Sequence, residues 1–352
     1  MSDRKRSGEA GARSNRRIRE ASDYPDVEIY LGESHGQMRT ALRSALRDIR
    51  LNVHEDYEEC EPLRQALRDG NADMVIVDAD LAGGDACNLI QAIRYDKLGP
   101  NPFVPVIVTS WQNDAVRLRQ LINSGADGLL VKPTSVQAIQ SHIDTIIYRR
   151  KPFVVTSNYI GPDRRIDPAH TSELKLIDVP NTLLSKVRGE KVDPVALRKE
   201  IAAVLKSVNS ERLRRNAFEL SFLIEVVLAD YNDGGPTTRT GRLVERLQMV
   251  LQDTVDRLRG TPYEYNSGIC QSLLRVAESI AADYRNPARK DIALLKPLSD
   301  AVLLSFNPER SASDMAQEIA RSIDQFNRHS PSGVPSDMKI GQNRPLDKRF
   351  PP

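Results

Sequence analysis

The sequence lacks the features of several common protein classes. It has three cysteines, Cys60, Cys87 and Cys270, and no CxxC pair, so neither a disulfide framework nor a zinc site is indicated. No apolar run approaches the roughly 20 residues that cross a bilayer. The N-terminus is charged where a signal peptide would be apolar. We therefore expect a soluble, cytoplasmic protein with no membrane span.

A strong excess of one charge is also missing. Basic and acidic residues nearly cancel, and the formal net charge is +2, so the chain lacks the positive field of an obligate nucleic-acid binder. Basic stretches at residues 16–19 and 148–151 are more typical of a solvated tail and a solubilising linker. Nucleic acid is therefore an unlikely partner on this evidence, and a DNA-binding transcriptional regulator stays only as an alternative.

The length of 352 residues indicates two domains with additional tails. Residues 1–23 and 330–352 are poor in large apolar side chains or rich in proline, and we predict that both tails are disordered. Between them we predict an α/β domain at 24–150, a proline-containing linker at 151–193 and an α-helical domain at 194–329.

Short apolar runs alternate with amphipathic, helix-length stretches in the first of these domains. The predicted strands are 27–31, 51–54, 74–77, 104–108 and 128–131, and each precedes a stretch such as 38–49, where apolar residues recur at helical spacing. This alternation is typical of a doubly wound, five-stranded parallel sheet.

After the linker, the pattern indicates helices almost throughout. The predicted spans are 194–208, 211–231, 240–259, 267–285, 289–305 and 312–327, with breaks between them such as the Gly- and Pro-containing segments 233–236 and 259–262. Apolar residues on one side of the second span favour an all-α helical bundle.

Polar side chains follow four of the predicted strands. Glu33 and Ser34 follow the first, Asp78 the third, Thr109 the fourth, and Lys132 the fifth. Because the carboxyl ends of parallel strands meet at one edge of a sheet, where ligands collect, we expect these groups to converge.

Three motifs carry a resemblance to a known family. They are residues 75–81 (VIVDADL), 106–110 (VIVTS) and 125–133 (GADGLLVKP), each on the expected strand and in the expected order. In these motifs the chain resembles the receiver domains of two-component response regulators, which are flavodoxin-like and related to the chemotaxis receivers. The resemblance does not extend to the helical domain.

The resemblance implies a phosphorelay chemistry. Asp78 would accept a phosphoryl group from a histidine kinase or phosphotransfer protein, while Lys132 and Thr109 would contact phosphoryl oxygens. Mg²⁺ would be held by Glu33, Asp78 and the backbone carbonyl of Asp80. The domain would then be a signalling module and not an enzyme.

Two departures from the family pattern bear on this expectation. Ser34, followed by His35, stands where a second acid is expected, so Mg²⁺ binding should be weakened because Mg²⁺ prefers anionic oxygens. Leu129 stands where an aromatic switch residue is expected. Either Glu33 reaches the metal by itself, or the receiver works weakly or without phosphate.

The helical domain has no chemical motif of its own. All five histidines, at positions 35, 54, 142, 170 and 329, lie outside the spans between 194 and 327, which argues against histidine phosphotransfer there. We interpret it as an interaction domain for a downstream protein. A phosphorylation-independent pseudo-receiver scaffold remains the main alternative, and Trp111 could be a partner contact or a packing residue.

Overall fold

A computed structural model describes residues 27–165 and 174–329. The chain divides into two compact units. The first contains the described residues up to Phe153, with Tyr159–Arg164 and Asp178–Ala203; the second contains Val154–Asn158, the described part of Arg165–Ile177, and the chain from Val204 onward. Both predicted tails, and residues 166–173 of the predicted linker, lie outside the described residues.

The first unit is built on a five-stranded sheet. Its strands are β1 (Ile29–Gly32), β2 (Val53–Tyr57), β3 (Met74–Asp78), β4 (Val106–Ser110) and β5 (Gly128–Val131). They lie in the order β2-β1-β3-β4-β5, and all neighbouring pairs are parallel. This is the doubly wound, flavodoxin-like order, which confirms the predicted fold class.

Five helices cover the two faces of this sheet. They are α1 (Gly36–Asp48), α2 (Cys60–Asp69), α3 (Ala86–Arg94), α4 (Ala115–Asn123) and α5 (Val136–Arg149). Alternate strand residues point to opposite faces, so Ile29 and Leu31 pack with α1 and α5, whereas Tyr30 packs with α2 and α3. Each face therefore has its own apolar core.

Two strands differ most from their predicted bounds, while β1 and β3 differ by one or two residues at an end. β2 begins at Val53 instead of residue 51 and runs through the polar residues to Tyr57. It is an edge strand, so backbone pairing with β1 defines it where apolar alternation does not. β4 begins at Val106 because Pro105 cannot donate a ladder hydrogen bond, and it includes Thr109 and Ser110.

The segment predicted as a linker contains ordered structure. It includes β6 (Phe153–Val155), β7 (Ile160–Pro162) and α6 (Thr182–Val187). Within the first unit, Arg150 donates to the Asp127 carboxylate at 2.9 Å, and the ring centroids of Phe153 and Phe103 lie 5.8 Å apart. Buried aromatic and ionic contacts thus order a stretch whose prolines alone suggested a linker.

The remaining helices are α7 (Pro194–Asp233), α8 (Thr238–Leu258), α9 (Ser267–Ala282), α10 (Arg289–Phe306) and α11 (Ala312–His329), with a 3₁₀ turn at Glu264–Asn266. The predicted break near residue 209 is wrong, because Asn209 and Ser210 remain helical and no glycine or proline interrupts the turn. α11 ends at His329, two residues beyond the predicted end of this helix, so a histidine stands at the last position of the helical region.

The second unit has a core of its own, made largely by α7 to α11. The apolar stripe predicted in α7 supplies Leu213, Ala217 and Leu220, all fully buried, and α8 adds Leu243 and Leu247. In the described part of the chain, no helix is both long enough and apolar enough to span a membrane.

Candidate functional site

Four polar residues at the carboxyl end of the sheet lie on one face of it. Leu31, Ile76, Ile107 and Leu130 belong to the core on the α1 and α5 side. Because side chains alternate along a strand, the residues two positions later point to the same side. These residues are Glu33, Asp78, Thr109 and Lys132, and all four are buried, with at most 3% of each exposed.

Lys132 joins the two carboxylates of this group. Its Nζ lies 2.5 Å from Glu33 Oε2 and 2.8 Å from Asp78 Oδ2, and the side chains of the three residues are almost completely buried. Two buried carboxylates this close repel each other and lose hydration, and the ammonium group between them offsets part of that cost through two short ion pairs. The Lys132–Pro133 peptide bond that follows is cis.

Thr109 lies directly beside Asp78, since the two residues are Cα partners in the β3–β4 ladder. Its Oγ1 atom is buried, and no described residue forms a hydrogen bond with it. A buried hydroxyl without a partner is uncommon in folded proteins, because desolvation is then not compensated. This hydroxyl is thus available to a ligand that reaches Asp78.

Asp80 does not join the buried group through its side chain. Its backbone N–H donates to Asp78 Oδ1 at 3.3 Å, while its exposed carboxylate accepts from Gln112 and Arg117, each at 3.3 Å. Arg117, on α4, also donates to the Ala79 carbonyl at 3.2 Å. Sequence reasoning did not single out Arg117, because nothing in the pattern of α4 distinguishes it from a solvated charge.

The Ser34 hydroxyl is engaged in holding two loops together. Ser34 Oγ donates to the Glu58 carbonyl at 2.8 Å and accepts from the Ala82 N–H at 3.0 Å. Its single proton is therefore committed to the loop after β2. The residue that replaces the family's second acid has a structural hydrogen-bonding role here.

His35 is a member of the site that sequence reasoning did not assign. Its backbone N–H donates to Glu33 Oε1 at 3.0 Å, and its Nδ1 lies 3.4 Å from the same oxygen. Glu33, His35 and Asp78 each place one potential metal-ligand atom within 4.8 Å of the others. The signal was available, since His35 follows Glu33 by two positions at a strand end.

The single tryptophan of the chain lies beside the site. The Trp111 ring centroid is 5.5 Å from Lys132 Nζ, a cation–π distance, and 49% of the residue is exposed. Leu129 is partly buried and packs against the core on the opposite side of the sheet. Because Trp111 lies beside Lys132, which pairs with Asp78, its fluorescence should report ligand binding at Asp78.

Cysteine chemistry does not compete with the carboxylates here. Burial, followed by the nearby Asp85 carboxylate, raises the pKa of the Cys87 thiol to about 11. Because the thiolate is the reactive form of cysteine, this thiol is inert at neutral pH.

The residues present fit a divalent cation. The Glu33 and Asp78 carboxylates with Lys132 carry one net negative charge, and carboxylate oxygens are the ligands that Mg²⁺ prefers. Mg²⁺ sites in proteins often use only one or two carboxylates and complete the shell with water or phosphate. Glu33 and Asp78 would hold such an ion.

A parallel sheet with an acid, a hydroxyl and a lysine at its carboxyl edge defines the receiver class. Consistently, residues 29–144 match the family model of the response regulator receiver domain. This part of the chain is a response regulator receiver domain.

Curated relatives match the same region. The chemotaxis protein CheY of Pseudomonas aeruginosa is 22% identical over 123 residues, which are 35% of this chain and 98% of that protein. The chemotaxis protein CheY-3 of Vibrio cholerae is 22% identical over 124 residues, covering 35% of this chain and 94% of that protein.

Solved structures give similar coverage. RcsB from Salmonella enterica serovar Typhimurium is 20% identical with a TM-score of 0.31, covering 34% of this chain and 67% of that one. The receiver domain of the response regulator NarL from Mycobacterium tuberculosis is 21% identical with a TM-score of 0.32, covering 35% of this chain and 98% of that one. Because these matches cover about a third of this chain, they say nothing about the helical region.

Proposed function

We propose that the protein is a phosphorelay response regulator that accepts a phosphoryl group on Asp78. The observation that carries this proposal is the pairing of Asp78 with Lys132 at 2.8 Å, beside the buried Thr109 hydroxyl, which no described residue engages in a hydrogen bond. A carboxylate nucleophile, an ammonium group and a free hydroxyl together suit a phosphoryl group, whose transfer depends mainly on positioning and charge neutralisation.

Each residue has a distinct role in this step. An oxygen of Asp78 attacks phosphorus in a phosphohistidine of a kinase or phosphotransfer protein; the P–N bond breaks and an acyl phosphate forms. Lys132 then pairs with a phosphoryl oxygen, and the Thr109 hydroxyl donates to another. Mg²⁺ bound at Glu33 and Asp78 would neutralise charge on the transferred group.

The output is assigned to the helical region, residues 194–329. We propose that it binds a downstream protein in the cytoplasm, and that the whole protein acts as a signalling component and not as an enzyme. Phosphorylation would act by stabilising one of two arrangements of the receiver surface near β4, β5 and α5.

The test uses a small phosphodonor such as acetyl phosphate, with Mg²⁺ present and intact mass as the readout. The wild-type chain should gain one phosphoryl group, and the Asp78→Asn variant should gain none. Asp69→Asn, at an exposed position on α2, is the matched control and should behave as wild type. Phosphoryl gain in Asp78→Asn would reject the assignment.

A phosphorylation-independent scaffold is the second candidate, favoured by the structural role of Ser34 and by Leu129 at the switch position. A scaffold has no need to bind Mg²⁺ at Asp78. Millimolar Mg²⁺ should then leave the Trp111 fluorescence and the unfolding transition unchanged, whereas a working receiver should respond in both.

A further inference from the structure

The imidazole of His35 lies beside the two carboxylates that would hold a metal. His35 precedes α1 as its N-cap residue, but its side chain makes no capping hydrogen bond. The side chain is 72% exposed and its Nδ1 lies 3.4 Å from Glu33 Oε1. An exposed ring with no capping bond can rotate at little cost to the fold.

The distances suit shared coordination. Two ligand atoms at about 2.1 Å from one ion, at tetrahedral or octahedral angles, lie about 3.0–3.4 Å apart. The Glu33–His35 separation already meets this value. The Asp78 oxygen lies within 4.8 Å of both other ligand atoms, and rotation of the exposed ring can shorten the distance between His35 and Asp78.

A second observation points to a ligand at the same place. The Thr109 hydroxyl is buried without a hydrogen-bond partner in the described part of the chain, and it neighbours Asp78 on the same side of the sheet. The net charge of Glu33, Asp78 and Lys132 is negative, which attracts a cation. The group is thus more than a cluster of acids, since it combines an imidazole, an unsatisfied hydroxyl and a negative field.

We propose that His35 is a direct metal ligand and that it shifts the receiver from Mg²⁺ toward first-row transition metals. Imidazole nitrogen suits Zn²⁺, Co²⁺ and similar ions, whereas Mg²⁺ strongly prefers oxygen. Two carboxylates and one imidazole therefore form a mixed site. Its nitrogen strengthens the binding of transition metals and adds little to the binding of Mg²⁺. The inference rests on the proposed function only in placing the metal at Asp78.

Tight Zn²⁺ or Co²⁺ binding alone would prove little, because nearly any carboxylate site binds these ions more tightly than Mg²⁺. The diagnostic quantity is the dependence of each affinity on His35. The full chain is titrated with Co²⁺ and, separately, with Mg²⁺, without a phosphodonor. Trp111 fluorescence reports both ions, and the visible absorption of Co²⁺ reports nitrogen coordination.

His35→Ala should raise the Kd for Co²⁺ by about tenfold or more, as expected when a ligand contact is lost, and leave the Kd for Mg²⁺ within about twofold. His54→Ala is the matched control, because His54 is a half-exposed histidine on β2 that lies outside the ligand group. It should leave both constants unchanged.

A variant with effects of opposite sign separates ligation from damage to the fold. His35→Asp should tighten Mg²⁺ and weaken Co²⁺, which partial unfolding cannot produce. The proposal is overturned if wild type binds no Co²⁺, if His35→Ala leaves its Kd unchanged, or if both metals weaken together in both variants. A His35-dependent Kd in a chain that gains no phosphoryl group would reject the proposed function and leave this inference standing.

Discussion

The receiver and the helical region both bury charged and polar side chains, but they use them differently. In the receiver, Glu33, Asp78 and Lys132 come from separate strand ends and meet at one buried point, beside a hydroxyl that has no partner among the described residues. In the helical region, Asp253 on α8 accepts from Arg212, Asn216 and Arg257, and it is held by these neighbours.

The difference shows what distinguishes a site from a structural network. Buried polar groups that satisfy one another contribute to stability and specificity of packing. In the receiver two buried carboxylates share one ammonium group, whereas Asp253 alone pairs with two guanidinium groups. An excess of buried negative charge costs stability, and such costs are typical of functional sites. Substitutions in the two regions should therefore affect different measurements.

The largest effect should come from a buried charge at the opposite end of the receiver sheet. Arg94 donates to Asp127 Oδ2 and to the carbonyls of Pro102, Val104 and Gly125, at 2.8–2.9 Å. Burial lowers its pKa to about 10 against the opposing effect of Asp127. Arg94→Met removes one of the two guanidinium groups that pair with Asp127, since only Arg150 remains, and it also removes the donor to three backbone carbonyls.

For Arg94→Met we expect the free energy of unfolding of the receiver to fall by about 4 kcal/mol, measured by urea denaturation. Arg68→Met, at an exposed position on α2 whose ion pair is solvated, should change it by less than about 0.5 kcal/mol. A small loss in Arg94→Met would show that the charge network at this end is not needed for stability.

The second largest effect should be on the rate at which Asp78 is phosphorylated. Lys132→Met keeps the length of the side chain but removes the ammonium group between Glu33 and Asp78. Loss of one pre-positioned charge should slow phosphorylation by a small donor about 100-fold, equivalent to about 2.7 kcal/mol.

Mass-spectrometric time courses measure this rate, and Lys97→Met, at an exposed position, supplies the control. If the Lys132→Met rate were within threefold of wild type, the lysine would serve only to balance the charge of the buried carboxylates. That is the role of Arg212 and Arg257 beside Asp253 in the helical region.

The smallest effect should appear in the helical region. Burial by itself would raise the pKa of Asp253, but the Arg212 and Arg257 guanidinium groups and the Asn216 hydrogen bond lower it overall. Asp253→Asn should therefore reduce the free energy of unfolding of this region by about 2 kcal/mol at neutral pH, measured by thermal denaturation.

The pH dependence follows from the direction of that shift. A carboxylate whose pKa is depressed by folding stabilises the protein fully above its unfolded pKa of about 4, and the effect is lost as pH falls through the folded value. The difference between wild type and Asp253→Asn should shrink below pH of about 4. Asp256→Asn, exposed on the same helix, should show little difference at any pH.

Much of the receiver could be predicted because its signals are local. Every second residue of these strands faces the same core, as in Ile29, Leu31 and Glu33 or in Ile76 and Asp78. This alternation predicts both the strand and the face of the sheet on which the polar residue lies. Strand order and the convergence of Glu33 and Lys132 then follow from the fold class. The sequence pattern therefore also predicts that Asp78 lies next to Thr109.

Other features depend on contacts between distant residues and could not be predicted in this way. The hydroxyl of Ser34 bridges Glu58 and Ala82, which lie 24 and 48 positions further along the chain. Arg150 orders the segment after α5 by reaching Asp127. None of these pairings has a periodic signature, because each joins loops whose paths only the folded chain defines.

The central claim is that Asp78 carries the phosphoryl group, and the most direct measurement locates that group. Wild-type protein is treated with a phosphodonor and Mg²⁺, the acyl phosphate is reduced with borohydride, and the modified residue is identified by peptide sequencing in the mass spectrometer. We predict modification at residue 78. Modification at another carboxylate, or at none, would contradict the account.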